Sequence, residues 1–177
     1  MGRAVFITGG ARSGKSAFAL SLAAQIPGTR AFIATMEPRD EECAERIRLH
    51  KLQRGAEWHS YEEPLDIEPV IEGIAEGVVV LDCLTLWLSN LMGAGRDIAA
   101  ACDALVQAIQ RAASPIILIT NEVGQGLVPE NALARAFRDE AGLLNQRVAA
   151  QADRVVLLAA GHPLTLKEAA VPAERAP

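Results

Sequence analysis

A short glycine-rich segment near the N-terminus carries the residue types and spacing that bind nucleotide phosphates. Residues 9–16 read Gly-Gly-Ala-Arg-Ser-Gly-Lys-Ser, which completes the pattern G-x-x-x-x-G-K-S/T. In this motif backbone N–H groups surround the phosphates, the lysine reaches the β- and γ-oxygens, and the final hydroxyl binds Mg²⁺. The residues expected to contact the nucleotide are Gly9, Gly10, Ala11, Arg12, Ser13, Gly14, Lys15 and Ser16.

This chemistry requires a strand before the loop and a helix after it. An apolar run over residues 4–8 precedes the loop, and a helical pattern over 17–24 follows it and ends at Pro27 and Gly28. The context therefore favours a nucleoside triphosphate site over a chance glycine-rich turn.

A second candidate is Asp82, which follows the apolar run over residues 78–81. A carboxylate at the carboxyl end of a buried strand lies at the sheet edge where α/β proteins bind ligands, so Asp82 is a candidate Mg²⁺ ligand together with Ser16. A structural alternative is that Asp82 caps the helix expected to begin near Thr85.

A charged segment over residues 40–54 contains the third candidate, His50. On a helix, Arg46, His50 and Arg54 are spaced i, i+4 and i+8, which puts an imidazole among cations. Neighbouring cations favour the neutral imidazole, which leaves a ring nitrogen able to attack or coordinate. From the pattern alone, a solvated charged helix face with an incidental histidine is the favoured interpretation, because charged runs are usually exposed.

These candidates require an alternation of strands and helices. Apolar runs of strand length occupy residues 4–8, 31–35, 78–81, 116–120 and 155–160. Helical patterns occupy residues 39–54, 65–75, 85–92, 98–112 and 131–152. Continuous apolar strands are typical of a mainly parallel sheet covered on both faces, so we expect a three-layer α/β fold.

Length and composition limit the alternatives. The chain has 177 residues, half of them hydrophobic, which predicts one catalytic domain over residues 1–167 followed by a loose tail over 168–177. The net charge of −5 argues against a nucleic-acid surface, and no stretch is apolar enough to span a membrane. Three scattered cysteines suggest neither disulfides nor a zinc site, so we expect a cytoplasmic protein.

Several blocks of sequence, in order along nearly the whole chain, resemble one enzyme family. They comprise residues 9–16, 32–35, 46–64, 82–91, 120–131 and 135–146. Together they are similar to the bifunctional adenosylcobinamide kinase/adenosylcobinamide-phosphate guanylyltransferase family of cobalamin synthesis. The resemblance implies a RecA-like P-loop fold, ATP and GTP as nucleotides, adenosylcobinamide and its phosphate as substrates, and a homotrimer.

The resemblance also implies roles for individual residues. His50 corresponds to the histidine that becomes covalently guanylylated, and therefore to the catalytic nucleophile. Further residues correspond to the guanine-nucleotide site, namely Ala34, Thr35, Met36, Lys51, Leu52, Gln53, Arg54, Glu62 and Leu84. Met36 departs from the small residue common at its position, which bears on how the base fits.

Three further residues keep two interpretations each. Glu122 is a candidate for orienting the substrate hydroxyl, or it belongs to a turn; Arg135 and Arg138 either bind phosphate or corrinoid, or pair with Glu130 and Asp139. A monofunctional kinase would need the phosphate loop and Asp82 but not His50. A nucleotide-binding module would transfer no group at all.

Overall fold

The structure is a computed structural model that describes residues 3–38, 40–55 and 57–168; the side chains of Glu42, Cys43, Arg46, His50, Leu52, Gln53 and Arg54 also lie outside the description. In these residues seven strands form one sheet in the order β3-β2-β4-β5-β1-β6-β7. Every neighbouring pair is parallel except β6 and β7, which are antiparallel. The predicted α/β fold with a mainly parallel sheet is confirmed.

The strands are β1 (Ala4–Gly9), β2 (Arg30–Ala34), β3 (Trp58–Glu62), β4 (Val78–Asp82), β5 (Ile116–Ile119), β6 (Arg154–Ala159) and β7 (His162–Glu168). The helices are α1 (Lys15–Ala23), α2 (Glu41–Arg54), α3 (Ile67–Gly73), α4 (Leu84–Gly93), α5 (Ile98–Arg111) and α6 (Ala132–Gln151).

The central strands are buried on both faces because successive side chains of a strand point to opposite sides of the sheet. In β1, Phe6 joins the core beneath α3 to α6, whereas Val5 and Ile7 join the core beneath α1. In β4, Leu81 joins the core beneath α3 to α6, and Val80 joins the core beneath α1. This double burial explains why these strands have continuous apolar sequences.

The two outer strands were not predicted, and their surroundings explain why. β3 and β7 lie at the edges of the sheet, and most of their residues are exposed. Strands of this kind lack the apolar run by which the central ones are detected. β7 extends through Glu168, so the predicted tail begins one residue too early; residues 169–177 lie outside the described residues.

Two helices begin earlier than predicted. α1 begins at Lys15, within the glycine-rich loop, and α4 begins at Leu84. The N-cap of α4 is Cys83, whose side chain makes no capping hydrogen bond. Asp82 is therefore not the N-cap of α4. Within the described part of the chain, every helix is too short or too polar to cross a lipid bilayer.

Candidate active site

A cleft of about 470 Å³ opens at the carboxyl edge of the sheet. Residues 11–17, which belong to the glycine-rich loop and the start of α1, form one wall. The remaining described residues that line the cleft are Phe32, Ala34, Met36, Ile47, Asp82, Cys83, Leu86 and Asn121. Strand register explains the grouping, because Ala34 pairs with Asp82 and Asp82 pairs with Ile119 at this edge.

The glycine-rich loop has a backbone that its sequence makes possible. Gly14 is the N-cap of α1 at φ 99°, a left-handed conformation that glycine adopts without steric cost. A Cβ at Gly9 would lie 2.4 Å from the carbonyl oxygen of Leu158, so the loop and β6 approach each other more closely than a side chain allows. The turn between β6 and β7 adds support, because Gly161 N–H donates to the Ser13 carbonyl at 3.0 Å.

Lys15 is held inside this loop. Its ammonium donates to the Gly10 carbonyl at 2.6 Å and to the Ser13 hydroxyl at 3.5 Å, and the residue is only 7% exposed. Burial lowers the pKa of Lys15 from its usual value, and the nearby Asp82 carboxylate partly opposes that shift. A buried cation among loop N–H groups suits a polyphosphate, which would replace the lost solvation with charge-assisted hydrogen bonds.

Ser16 and Asp82 meet across the cleft floor. The Ser16 hydroxyl donates to the Asp82 carboxylate at 2.7 Å. Two hard oxygen donors beside a phosphate site fit Mg²⁺, which proteins usually hold through one or two carboxylates or hydroxyls together with substrate phosphates. In the described residues no group of three or more histidine, cysteine or acidic side chains could hold a metal ion by itself, so substrate oxygens would complete the coordination.

The opposite wall of the cleft is fixed by a buried polar network. The Thr35 hydroxyl donates to the Cys83 carbonyl at 2.8 Å and accepts from Cys83 N–H at 2.9 Å. The Asn90 amide donates to the carbonyls of Thr35, at 2.7 Å, and Pro64, at 3.1 Å. Since these bonds join the end of β2 to α4 and to the turn after β3, Ala34 and Met36 border the cleft in a defined position.

Helix α2 approaches the cleft from the side of β3. Ile47 lines the cleft and is partly buried. The Lys51 ammonium forms an ion pair with the Glu62 carboxylate at the end of β3. His50 belongs to α2 and lies between Ile47 and Lys51 in sequence, within one helical turn of both.

Not every predicted site residue borders the cleft. Leu84 is completely buried in the core beneath α4, and Thr35 is also fully buried, so their side chains face away from the cleft. Lys51 and Glu62 are about half exposed and paired with each other. The side chains of His50, Leu52, Gln53 and Arg54 lie outside the description, so their predicted contacts stay predictions.

The three residues with two interpretations, Glu122, Arg135 and Arg138, make contacts with residues nearby in the sequence. The Glu122 carboxylate accepts from Gly124 N–H at 2.6 Å, as the turn interpretation expects. Arg135 donates to the backbone carbonyls of Pro129 and Glu130, and Arg138 forms an ion pair with Asp139.

Sequence reasoning missed part of the cleft lining. Phe32, Ile47 and Leu86 supply apolar surface, and Cys83 and Asn121 supply polar groups. Burial raises the pKa of Cys83 to about 11, so this residue is a neutral thiol at pH 7. Asn121 could have been found from its position, because it follows a buried strand at the same sheet edge as Asp82.

The arrangement combines a cationic phosphate loop, a hydroxyl–carboxylate pair suited to Mg²⁺ and an apolar wall large enough for a base. These features suit the binding of a nucleoside triphosphate and the neutralisation of charge on its phosphates. They suit a transfer of phosphoryl or nucleotidyl groups.

Residues 5–166 match the family described as cobinamide kinase / cobinamide phosphate guanyltransferase. The chain is 40% identical to the bifunctional adenosylcobalamin biosynthesis protein CobP of Pseudomonas aeruginosa, over 91% of this chain and 95% of that protein. It is 39% identical to the bifunctional adenosylcobalamin biosynthesis protein CobU of Salmonella typhimurium, over 92% of this chain and 99% of that protein. The matches therefore extend over nearly the full length of both relatives.

Among solved structures, the chain is similar to the ATPase EscN of the type III secretion system of enteropathogenic E. coli, with a TM-score of 0.51. The identity is 14%, and the match covers 90% of this chain and 43% of that one. At this identity the likeness concerns the fold, which is that of the P-loop ATPases.

Proposed function

The chain belongs to the cobinamide kinase / cobinamide phosphate guanyltransferase family, and from this membership we propose that it catalyses two consecutive reactions. Adenosylcobinamide is first phosphorylated by ATP or GTP, and the product then receives GMP from a second GTP to give adenosylcobinamide-GDP. The observation that carries the proposal is that the phosphate loop, Asp82 and helix α2 all border one cleft.

The kinase reaction transfers the γ-phosphoryl group to the hydroxyl of the corrinoid's aminopropanol arm. The hydroxyl oxygen forms a bond to the γ-phosphorus while the bond to the β-phosphate oxygen breaks, which releases the nucleoside diphosphate and a proton. Lys15 stabilises the charge on the β- and γ-oxygens. Ser16 and Asp82 would hold Mg²⁺, which when bound would neutralise further charge on the same phosphates.

The guanylyl transfer uses His50 as nucleophile. A neutral ring nitrogen attacks the α-phosphorus of GTP, the bond to the β-phosphate breaks, and pyrophosphate leaves. A phosphate oxygen of adenosylcobinamide phosphate then attacks the same phosphorus, and the nitrogen–phosphorus bond breaks to regenerate the imidazole. One difficult transfer is thereby divided into two easier ones.

The α2–β3 side of the cleft supplies guanine recognition in this proposal. A carboxylate such as Glu62 can accept hydrogen bonds from N1–H and the 2-amino group of guanine, which adenine lacks. Met36 and Ala34 contribute the apolar border of the cleft next to the strand edge. Arg54, Gln53 and Leu52 complete the site as the family resemblance implies.

The decisive experiment is transfer of label from GTP to the protein. The chain is incubated with Mg²⁺ and GTP labelled at the α-phosphorus, and in parallel with GTP labelled at the γ-phosphorus, and is then denatured. We expect label only from the α position, lost in acid and retained in alkali, as for a phosphoramidate. Adenosylcobinamide phosphate added before denaturation should remove it and yield adenosylcobinamide-GDP.

The same experiment separates the alternatives. A monofunctional kinase would phosphorylate adenosylcobinamide without ever carrying GMP, and a binding module would do neither. Either result contradicts the two-step proposal.

The proposal also covers the oligomeric state of the protein and the cellular compartment in which it works. The family resemblance implies a homotrimer, which the molar mass from light scattering tests directly. Cys83 and Cys102 are buried free thiols, which supports a reducing compartment such as the cytoplasm.

A further inference from the structure

Asn121 follows the strand that lies between the phosphate-loop strand and the strand that ends in Asp82. β5 lies between β1, which leads into the phosphate loop, and β4, which ends in Asp82. Asn121 follows β5 by two residues and lines the cleft together with Lys15, Ser16 and Asp82. A residue just beyond the intervening strand therefore shares one cleft with the phosphate loop and with Asp82.

The backbone around Asn121 is fixed from both sides. Thr120 N–H donates to the Ile7 carbonyl at 2.9 Å, and Glu122 N–H donates to the Gly9 carbonyl at 3.0 Å. Asn121 N–H donates to the Thr85 hydroxyl at 2.7 Å, which itself lies 3.1 Å from the hydroxyl of Thr120. The side chain therefore starts from a position determined by β1 and α4, as precise positioning of a ligand requires.

The side-chain amide of Asn121 has a weak partner. Its nitrogen lies 4.0 Å from the sulfur of Cys83, and a thiol sulfur is a poor hydrogen-bond acceptor. Cys83 remains a thiol at neutral pH because burial disfavours its thiolate. A phosphate oxygen is a far better acceptor and would displace this contact without breaking any strong bond.

We propose that the Asn121 amide donates a hydrogen bond to the γ-phosphate of the bound nucleotide and stabilises it during transfer to the corrinoid hydroxyl. This inference rests on the proposed kinase function. The γ-phosphate is the group concerned because Lys15 acts on the β- and γ-oxygens, as Mg²⁺ held by Ser16 and Asp82 would, and Asn121 lines the same cleft just beyond the strand between β1 and β4. As a neutral donor, the amide adds a directed bond without adding charge.

Two variants test the proposal. Asn121→Ala removes the amide, and Asn121→Asp keeps its shape while replacing the donor by an anion. Gln125→Ala is the matched control, because it removes an exposed amide from the same segment outside the cleft. Thermal unfolding checks that each variant folds.

The measurements are kcat of the kinase reaction and the affinities for a GTP analogue and for GDP, which separate binding of the γ-phosphate from binding of the rest of the nucleotide. For Asn121→Ala we expect kcat of the kinase reaction to fall roughly ten- to hundredfold, as for the loss of one hydrogen bond to a charged group. Affinity for a non-hydrolysable GTP analogue should fall by a similar factor, whereas affinity for GDP should stay within about twofold. Asn121→Asp should be at least as impaired, and Gln125→Ala should match the wild type.

The outcomes are distinguishable from a failure of the proposed function. If the wild-type enzyme does not phosphorylate adenosylcobinamide, the kinase proposal itself is wrong. If the wild type does so and folded Asn121→Ala keeps its kcat, or loses GDP and triphosphate affinity equally, the γ-phosphate role is wrong. At saturating GTP, an equal fall in kcat for guanylylation and for the kinase reaction would also overturn it, because in guanylylation the γ-phosphate is not transferred and leaves within pyrophosphate.

Discussion

The two sides of the cleft differ in how much protein surrounds their functional groups. On the phosphate-loop side, Lys15 is 7% exposed and bonded within its own loop. On the α2–β3 side, the side chains of Lys51 and Glu62 are 47% and 55% exposed, and four of the five residues of β3 are exposed. The phosphate site is thus held by bonds within its own loop, whereas the side that carries His50 can be rearranged at little cost in buried contacts.

The two sides of the cleft therefore suit different steps of the proposed function. In the proposed function, an internally bonded loop suits binding that both reactions share, since each would begin with a triphosphate. A less buried helix suits a nucleophile that must accept GMP and then expose it to a second substrate. Variants on the two sides should therefore differ in which reaction they affect.

The largest effect is expected for His50→Ala on the α2 side. Loss of the nucleophile should abolish label from α-labelled GTP and reduce guanylyl transfer by roughly a thousandfold or more. The kinase reaction should persist, because the corrinoid hydroxyl is its nucleophile, so adenosylcobinamide phosphate accumulates. His59→Ala, an exposed histidine of β3, is the control. A His50→Ala protein that still carries acid-labile GMP would contradict the assignment.

Lys15→Ala tests the phosphate-loop side and should affect both reactions. The lost charge-assisted hydrogen bonds are worth about 1.5–3 kcal/mol each, so affinity for GTP and both rates should fall roughly ten- to hundredfold. Measurement of both rates at saturating corrinoid checks this, with Lys167→Ala as an exposed lysine control. Loss of only one activity would show that the two reactions do not share this loop.

Asp82→Asn should have a smaller, metal-dependent effect. The amide is a poorer ligand for a hard cation, so the Mg²⁺ concentration for half-maximal kinase activity should rise about tenfold, with partial recovery at high Mg²⁺. Titration of kinase activity with Mg²⁺ measures it, and Asp139→Asn provides an exposed aspartate control. If the Mg²⁺ dependence did not change, Asp82 would not be a metal ligand, and its role would be the structural hydrogen bond to Ser16.

The smallest effect is expected from the Lys51–Glu62 ion pair. Because both side chains are about half exposed, a double-mutant cycle with Lys51→Met and Glu62→Gln should give a coupling free energy of unfolding below about 1 kcal/mol. The same variants should nonetheless change the KM for GTP in guanylyl transfer. A large coupling free energy of unfolding would show that α2 and β3 are held together as firmly as the phosphate loop. This result would contradict the difference between the two sides of the cleft.

The sequence predicted the buried parts of the molecule best. The central strands and the phosphate loop were predictable because double burial requires apolar runs and because the loop chemistry requires specific residues. β3 and β7 were not, since edge strands obtain their structure from one neighbour rather than from their own pattern. The sequence favoured Asp82 as a Mg²⁺ ligand over a helix cap only because the phosphate loop was present, and its bond to Ser16 emerged from the register of β4 with its neighbours.

Asn121 and Cys83 show a second limit of the sequence. Neither belongs to a phosphate-binding pattern, and both reach the cleft because the strand order brings β5 between β1 and β4. Which strand lies beside which is a property of the whole fold. The position of Asn121 after a buried strand could place it at the sheet edge from sequence, but that its strand lies between β1 and β4 is found only once the topology is known.

The bond from Gly161 N–H to the Ser13 carbonyl has a consequence for how the protein is made. The phosphate loop leaves the ribosome before β5 and β6, yet β1 lies between these two strands, and the turn that supports the loop follows β6. Contacts so distant along the chain form late in folding. A nascent or truncated chain that ends before Gly161 should therefore lack a finished phosphate site, and nucleotide would bind only after β6 and the turn at Gly161 have been synthesised.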